Sequence, residues 1–122
     1  MLSSKEVNVL GQVFNHTFGY SSDTMKVTSS LHGNSLTLKY ISIIQFASEE
    51  SMQKQKAEYE KESVKVIADA LKNMKDDFKE KAGRPIKVTE ESRDDSVELV
   101  SVSAHSPRKL AYYRVNVRLT VE

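Results

Sequence analysis

Three side chains near the end of the chain are of the types that bind nucleic acid. Tyr112, Arg114 and Arg118 are separated by even numbers of residues, so on a β-strand they point to one face. Aromatic rings can stack on bases and guanidinium groups can contact phosphates, as in single-strand-binding proteins. Nearby basic residues extend this surface: Lys26, Lys39, Arg108 and Lys109. The pattern has three interpretations: a face that binds nucleic acid, an ordinary polar sheet face, or a polar subunit contact.

Other residue types that commonly carry catalysis or metal binding form no motif. His16, His32 and His105 lie in different predicted elements, with no carboxylate at a metal-ligand spacing. The glycines are isolated, which argues against a phosphate-binding loop, and no serine lies in a supported nucleophile motif. The absence of cysteine excludes thiol chemistry and disulfides. We therefore predict a protein that is not an enzyme and that binds no cofactor, metal or small molecule.

The composition is that of one soluble domain. The chain has 122 residues, of which 39% are hydrophobic and 29% charged, and its net charge is +1. This charge argues against strong nonspecific attraction to nucleic acid or to a membrane. No apolar run reaches transmembrane length and no signal peptide is evident, so we expect an intracellular protein without a membrane partner.

The longest helical signal runs from Ser48 to Gly83. Ser48 is a favourable N-cap residue, Gly83 suits the position after the last turn, and no glycine or proline lies between them. Apolar residues in the second half recur at helical spacing and predict one stripe that faces a core. The stripe consists of Val64, Ile67, Ala68, Leu71, Met74, Phe78 and Ala82.

The first half of this helix is mostly charged. The whole helix is about 50 Å long, whereas a ten-residue strand spans about 33 Å, so one end should extend beyond its sheet. We expect the charged half either to project into solvent or to dock on a second subunit through Met52, Tyr59 and Val66.

Two elements are predicted before the long helix. A capping box at Ser3 and Glu6 predicts an amphipathic helix over residues 4–18, although the β-branched residues in this stretch favour a strand. Alternating apolar residues on both sides of a Gly-Asn turn predict a hairpin that pairs Leu31 with Leu36. Its strands are Met25 to Leu31 and Leu36 to Phe46.

Ile41 and Ile43 point away from the predicted core face of this hairpin. A two-layer sheet with one face in water does not need apolar residues on both faces of a strand. Either the N-terminal helix covers this second face or another subunit does.

Three strands are predicted after the long helix. A short strand from Ile86 to Glu90 is followed by a turn at residues 92–95 and by a hairpin of Val97 to Ala104 and Leu110 to Val121. The element order is αββαβββ. We predict a single α+β domain over residues 1–122, with a mainly antiparallel sheet packed against one long central helix.

The leading hypothesis is a non-enzymatic structural or interaction protein that acts as a homo-oligomer. A ring- or particle-forming subunit, such as those of viral assemblies, would fit this reading. Its candidate interface residues are Ile41, Ile43, Met52, Tyr59 and Val66. The first alternative is a small protein that binds single-stranded nucleic acid through its Tyr/Arg sheet face. The second is an enzyme whose site lies at a subunit interface.

Overall fold

The protein is an α+β domain in which a long helix packs on an antiparallel sheet, as predicted. The computed structural model describes residues 2–15, 17–19, 25–100 and 109–122, with 17–19 described in their backbone only. The elements are α1 (Ser4–Val13), β1 (Thr17–Gly19), β2 (Met25–His32), β3 (Ser35–Phe46), α2 (Glu49–Ala82), β4 (Val88–Val100) and β5 (Lys109–Val121). Within these residues the strands form one sheet in the order β1-β2-β3-β5-β4.

Helix α1 begins with the predicted capping box but is shorter than predicted. The Ser3 hydroxyl accepts from the Glu6 amide, and the Glu6 carboxylate accepts from the Ser3 amide. The helix ends at Val13 with Phe14 as its C-cap, and beyond it the Asn15 side chain donates to the Gly11 carbonyl and accepts from the Leu31 amide of β2. Residues 17–19, predicted as the end of this helix, form β1 instead.

Glu6 also connects α1 to the chain beyond α2. Its carboxylate accepts a hydrogen bond from the Arg84 guanidinium, in addition to that from the Ser3 amide. The bond from the Ser3 backbone, followed by that from Arg84, lowers the pKa of Glu6 from its ordinary value of 4.5 to about 2. The charged carboxylate therefore helps to hold α1 in place.

Acidification should weaken this attachment. Because the pKa of Glu6 is lower in the folded chain, its contribution to stability is complete above about pH 4.5 and is lost as the pH falls towards 2. The wild type should be more stable than Glu6→Gln at neutral pH, and this difference should shrink across that window. Urea unfolding of both proteins at a series of pH values measures it. A difference that is the same at every pH would contradict the prediction.

The β2–β3 hairpin is confirmed, including its register. Leu31 lies opposite Leu36, and Val27 lies opposite Tyr40. Gly33 has a φ of 63°, the left-handed conformation that the tight turn requires and that glycine adopts without strain. The paired side chains that point towards α2 form the centre of the core.

The predicted ends of α2 are also confirmed. The Ser48 hydroxyl accepts from the Ser51 amide at 3.1 Å, and Gly83 adopts the left-handed conformation after the last turn. Neither helix in the described part of the chain is long and apolar enough to span a membrane.

The face of α2 that meets the sheet is rotated from the predicted one. Val64, assigned to the stripe, is 56% exposed, whereas Ser63 and Ala70 are buried. The Ser63 hydroxyl donates to the Glu60 carbonyl at 2.8 Å, which satisfies this buried polar group. The buried residues of α2 are Met52, Ser63, Val66, Ile67, Ala70, Met74 and Phe78.

The charged half of α2 also lies on the sheet. Met52 and Val66 are buried in the core, and Tyr59 packs against it. The Gln55 side chain donates to the Gln45 carbonyl at the end of β3 at 2.7 Å. Strands β3 and β5 have 12 and 13 residues and span about 40–43 Å, so a smaller part of the helix extends beyond them than the ten-residue estimate implied.

The segment after α2 differs most from the prediction. Residues 92–95, predicted as a turn, lie within β4, which runs antiparallel to β5 along its whole length. A register shift between Glu90 and Ser92 marks a β-bulge, in which one extra residue is accommodated without ending the strand. The chain therefore has one long strand where a short strand, a turn and the first part of a second strand were predicted; residues 101–104 of that second strand lie outside the described residues.

Both helices lie on one side of the sheet. Helix α1 contacts α2, and its residues Val9, Leu10, Val13 and Phe14 belong to the same core cluster. The N-terminal helix therefore does not cover the second face of β3, which was one of the two predicted possibilities. Within the described residues, the other side of the sheet has no covering layer.

Candidate interaction surface

The side of the sheet that points away from α2 is the candidate functional site, and we call it the open face. Residues paired directly across antiparallel strands point to the same side, so the strand pairing assigns its members. One row across β3, β5 and β4 is Ile43, Tyr112 and Glu98, and the next row, which starts on β2, is Lys26, Ile41, Arg114 and Ser96.

The open face is apolar at the end where β3 finishes and β5 begins. Ile41, Ile43 and Tyr112 are half-buried, and so are Leu110 and Val100 in the row beyond them. On an antiparallel sheet with one face in water, these positions would normally be polar. The exposed apolar atoms of four aliphatic side chains and one aromatic ring thus lie on neighbouring strands.

Arg114 is held within this apolar region by two interactions. Its guanidinium lies 5.1 Å from the centroid of the Tyr112 ring, a cation–π contact, and it forms an ion pair with Glu98 on β4. The arginine is therefore oriented and neutralised inside the chain, and it covers one side of the tyrosine ring. This arrangement reduces what Arg114 and Tyr112 can offer to another ligand.

Charge on the rest of the open face is divided across the sheet. Lysines occupy β2 and β3 at Lys26 and Lys39, and Arg118 lies on β5. Carboxylates occupy the β4 edge at Asp94 and Glu98, and the neighbouring Glu91 accepts from the Thr120 hydroxyl at 3.0 Å. Among the described residues, Lys26, Lys39, Arg118 and Asp94 form no ion pair.

The predicted interface residues separate into two groups. Ile41 and Ile43 lie on the open face, as expected from their alternation. Met52 and Val66 are only 9% and 8% exposed, in the layer on the opposite side of the sheet. They are covered by the core of their own chain, as is much of Tyr59, which leaves little surface for a second subunit.

The predicted nucleic-acid residues are also divided. Tyr112, Arg114, Arg118 and Lys39 share the open face. Lys109 is the first residue of β5 and pairs with Phe46, so it points to the α2 side. Arg108 lies outside the described residues.

Several members of the open face were not identified from the sequence. Leu110 and Val100 lie in stretches that were predicted as strands but were not assigned to this face, whereas Asp94 and Ser96 enter it only because β4 continues through residues 92–95. The available signal was the absence of glycine and proline from this stretch, since a tight turn commonly needs one of them.

The described residues offer little for binding a metal ion or a small molecule. Within the described ranges, no group of three or more His, Asp or Glu side chains is arranged to hold a metal ion. His32 lies at the end of β2, while His16 and His105 are outside these ranges.

A cleft of about 280 Å³ beside α2 is lined by Glu60, Ser63, Val64, Arg93, Asp95, Tyr113 and Val115. Its Tyr113 hydroxyl donates to Asp95 at 3.1 Å, so the polar groups there already satisfy each other.

Comparison with known proteins adds no functional assignment to this geometry. No family model, curated protein sequence or solved structure matches the chain.

Proposed function

We propose that this chain is a structural or interaction protein that acts as a homo-oligomer through its open face. The observation that carries this proposal is the cluster of half-buried apolar side chains on a sheet face that both helices leave uncovered. Covering such a cluster with a second protein surface removes apolar area from water, at about 25 cal/mol for each Å². Ile41, Ile43, Leu110 and Tyr112 would form the centre of the interface.

The arrangement of polar groups supports a protein partner. Protein interfaces typically have an apolar centre that contains aromatic and arginine side chains, surrounded by a polar rim. Here Tyr112 and the neutralised Arg114 lie within the apolar cluster, and Lys39, Asp94 and Arg118 lie in the two rows beside it.

A single-stranded nucleic-acid ligand is less well supported. Base stacking needs an accessible ring face, but Arg114 already occupies one side of Tyr112. Phosphate binding needs free cations; Arg114 is paired with Glu98, and the unpaired Lys26, Lys39 and Arg118 share the face with the carboxylates of β4. The acidic β4 edge would also repel a polyanion. An enzyme site at a subunit boundary has no observation in its favour.

Substitution of Ile43 by Asp tests the proposed interface. Ile43 is preferred to Ile41 because Ile41 lies between Lys26 and Arg114, whose cations would partly compensate a new carboxylate. An unpaired charge in an apolar interface costs of the order of several kcal/mol, so we expect the dissociation constant to rise at least about 100-fold. Analytical ultracentrifugation over a concentration series measures it, and circular dichroism checks that the chain remains folded.

Val64→Asp is the matched control. It makes the same kind of change at an aliphatic side chain that is 56% exposed on α2, on the opposite layer, and it should leave assembly unchanged. A wild-type protein that sediments as a monomer at high micromolar concentration would refute the proposal. So would an oligomer that Ile43→Asp and Val64→Asp affect equally.

A further inference from the structure

The two outer strands of the four-stranded open face carry opposite charge. Among the charged residues that pair across the sheet, β2 contributes Lys26, β3 contributes Lys39, β5 contributes Arg114 and Arg118, and β4 contributes Asp94 and Glu98, of which Arg114 and Glu98 pair with each other. The four long strands lie in the order β2-β3-β5-β4. One edge of this four-stranded surface is therefore positive and the other negative.

A second copy of the chain is the partner that this pattern fits. An interface between two identical surfaces is related by a twofold axis, so each patch must complement either itself or another patch of the same surface. For two sheets packed face to face with nearly aligned strands, the axis can run parallel or perpendicular to the strands. The two choices place different strands opposite each other.

The perpendicular axis places each strand over its own copy. Strand β4 would then lie over the β4 of the second copy, and the carboxylates of Asp94, Glu98 and Glu91 would face one another. Lys26 and Lys39 would likewise approach their own copies. Like charges placed opposite each other across an interface are destabilising and exclude such arrangements.

The parallel axis exchanges the two edges. With the axis midway between β3 and β5, the β4 of one copy lies over the β2 of the other, and β5 lies over β3. Each cross-strand row then faces its own reversed copy, so Lys26 faces Ser96 of the second copy. Asp94 and Glu98 flank Ser96 at about 7 Å along the strand, within reach of a lysine side chain.

The same orientation matches the apolar centre. Ile43 faces the Tyr112 of the second copy, and Lys39 faces the neutral Asn116. We infer that two copies pack open face to open face about a twofold axis parallel to the strands, with Lys26 of each copy against Asp94 and Glu98 of the other. This inference rests on the proposed function and adds the orientation of the two copies.

Charge reversal distinguishes the two orientations by the direction of its effect. In the inferred dimer, Lys26→Glu places an acid against acids and Asp94→Lys places a base near Lys26. Each variant should therefore raise the dissociation constant about 10-fold at low salt, and the effect should diminish at high salt. With the perpendicular axis, Asp94→Lys would instead relieve the contact between acids and tighten the dimer.

Combining the two reversals supplies the control. The double variant Lys26→Glu/Asp94→Lys should recover an affinity within about 3-fold of the wild type, and so should an equimolar mixture of the two single variants. Recovery excludes misfolding as the cause of the single effects. Neither substitution touches the Arg114–Glu98 pair.

Cross-linking provides an independent measurement, because the chain has no cysteine of its own. Ser30 and Ser92 occupy one row on β2 and β4, so Ser30 of one copy should face Ser92 of the other. A mixture of Ser30→Cys and Ser92→Cys chains should form a covalent dimer with a short bismaleimide, and each variant alone should not.

The outcomes separate this inference from the proposal on which it rests. A monomeric wild type overturns both. A dimer that Ile43→Asp disrupts, but that Asp94→Lys tightens or leaves unchanged, retains the proposed function and overturns the orientation. Failure of the mixed cysteine variants to cross-link also overturns the orientation.

Discussion

Phe78→Ala is expected to lower the free energy of unfolding by about 3–5 kcal/mol. Phe78 is fully buried near the end of α2, and it belongs to the single core cluster that joins α2 to the sheet. Its loss leaves a ring-sized cavity in a close-packed core. For a domain of this size, each kcal/mol shifts the melting temperature by about 3–6 °C, so the melting temperature should fall by at least about 10 °C.

Val64→Ala is the control for this prediction. Both residues belonged to the stripe predicted from helical spacing, but Val64 is exposed. Alanine is the better helix former, and the change in unfolding free energy should be below about 0.5 kcal/mol in either direction. Denaturant unfolding of the two variants in parallel makes the measurement. Comparable losses from both would mean that α2 is rotated from the orientation described.

The ends of α2 were predictable and its buried face was not, for a physical reason. Capping depends on the residues at the ends themselves, so Ser48 and Gly83 specify it locally. The buried face depends on the orientation of the helix on the sheet, which is a tertiary property. The spacing of apolar residues alone assigned Val64 and Ala68 to this face, although both are exposed, and missed Ser63 and Ala70, which are buried.

The two hairpin predictions show the same contrast between local and tertiary signals. The β2–β3 hairpin follows from a Gly-Asn turn and from side chains that alternate towards the core. Strand β4 has most of its side chains exposed, so the core imposes no alternation on its sequence. Its Ser, Arg and Asp residues have the composition of a turn, although they form an edge strand. Charges on an edge strand also discourage pairing with other chains.

The candidate surface was therefore predicted in part. Alternation along single strands placed Ile41, Ile43 and Tyr112 correctly on the face away from the core. The acidic half of the surface depended on the fused β4 and was missed. The charge division on which the inferred dimer orientation rests follows from the order of strands in the sheet, which a single sequence does not display.

Two buried tyrosines lead to the second large effect, which is a loss of stability at alkaline pH. Tyr40 and Tyr113 are each 1% exposed, and their rings meet edge to face with centroids 6.2 Å apart. Burial raises the pKa of Tyr40 from 10.0 to about 12, with a smaller contribution from Glu62. Burial also raises the pKa of Tyr113, as do its hydrogen bond to Asp95 and the nearby charge of Glu60.

The direction of the pH effect follows from these raised pKa values. The unfolded chain releases the phenolic protons near pH 10, whereas the folded chain keeps them to higher pH. Because the folded state then binds more protons than the unfolded state, the stability of the protein falls as the pH rises. Tyr40 alone should remove about 2–3 kcal/mol between pH 10 and 12. Domains of this kind are stable by about 5–15 kcal/mol, so the two tyrosines together should unfold the protein in alkaline solution.

Single phenylalanine substitutions separate the two contributions. Tyr40→Phe should leave stability at pH 7 unchanged or raise it by up to about 1 kcal/mol, because the hydroxyl that it removes has no hydrogen-bond partner among the described residues. Tyr113→Phe should cost about 0.5–1.5 kcal/mol at pH 7, since it loses the bond to Asp95. Both variants should lose less stability than the wild type above pH 10.

Denaturant unfolding at a series of pH values measures these differences, and the ultraviolet absorbance of tyrosinate follows the ionisation directly. Ionisation of both residues near pH 10 in the folded protein would show that they are not buried as described.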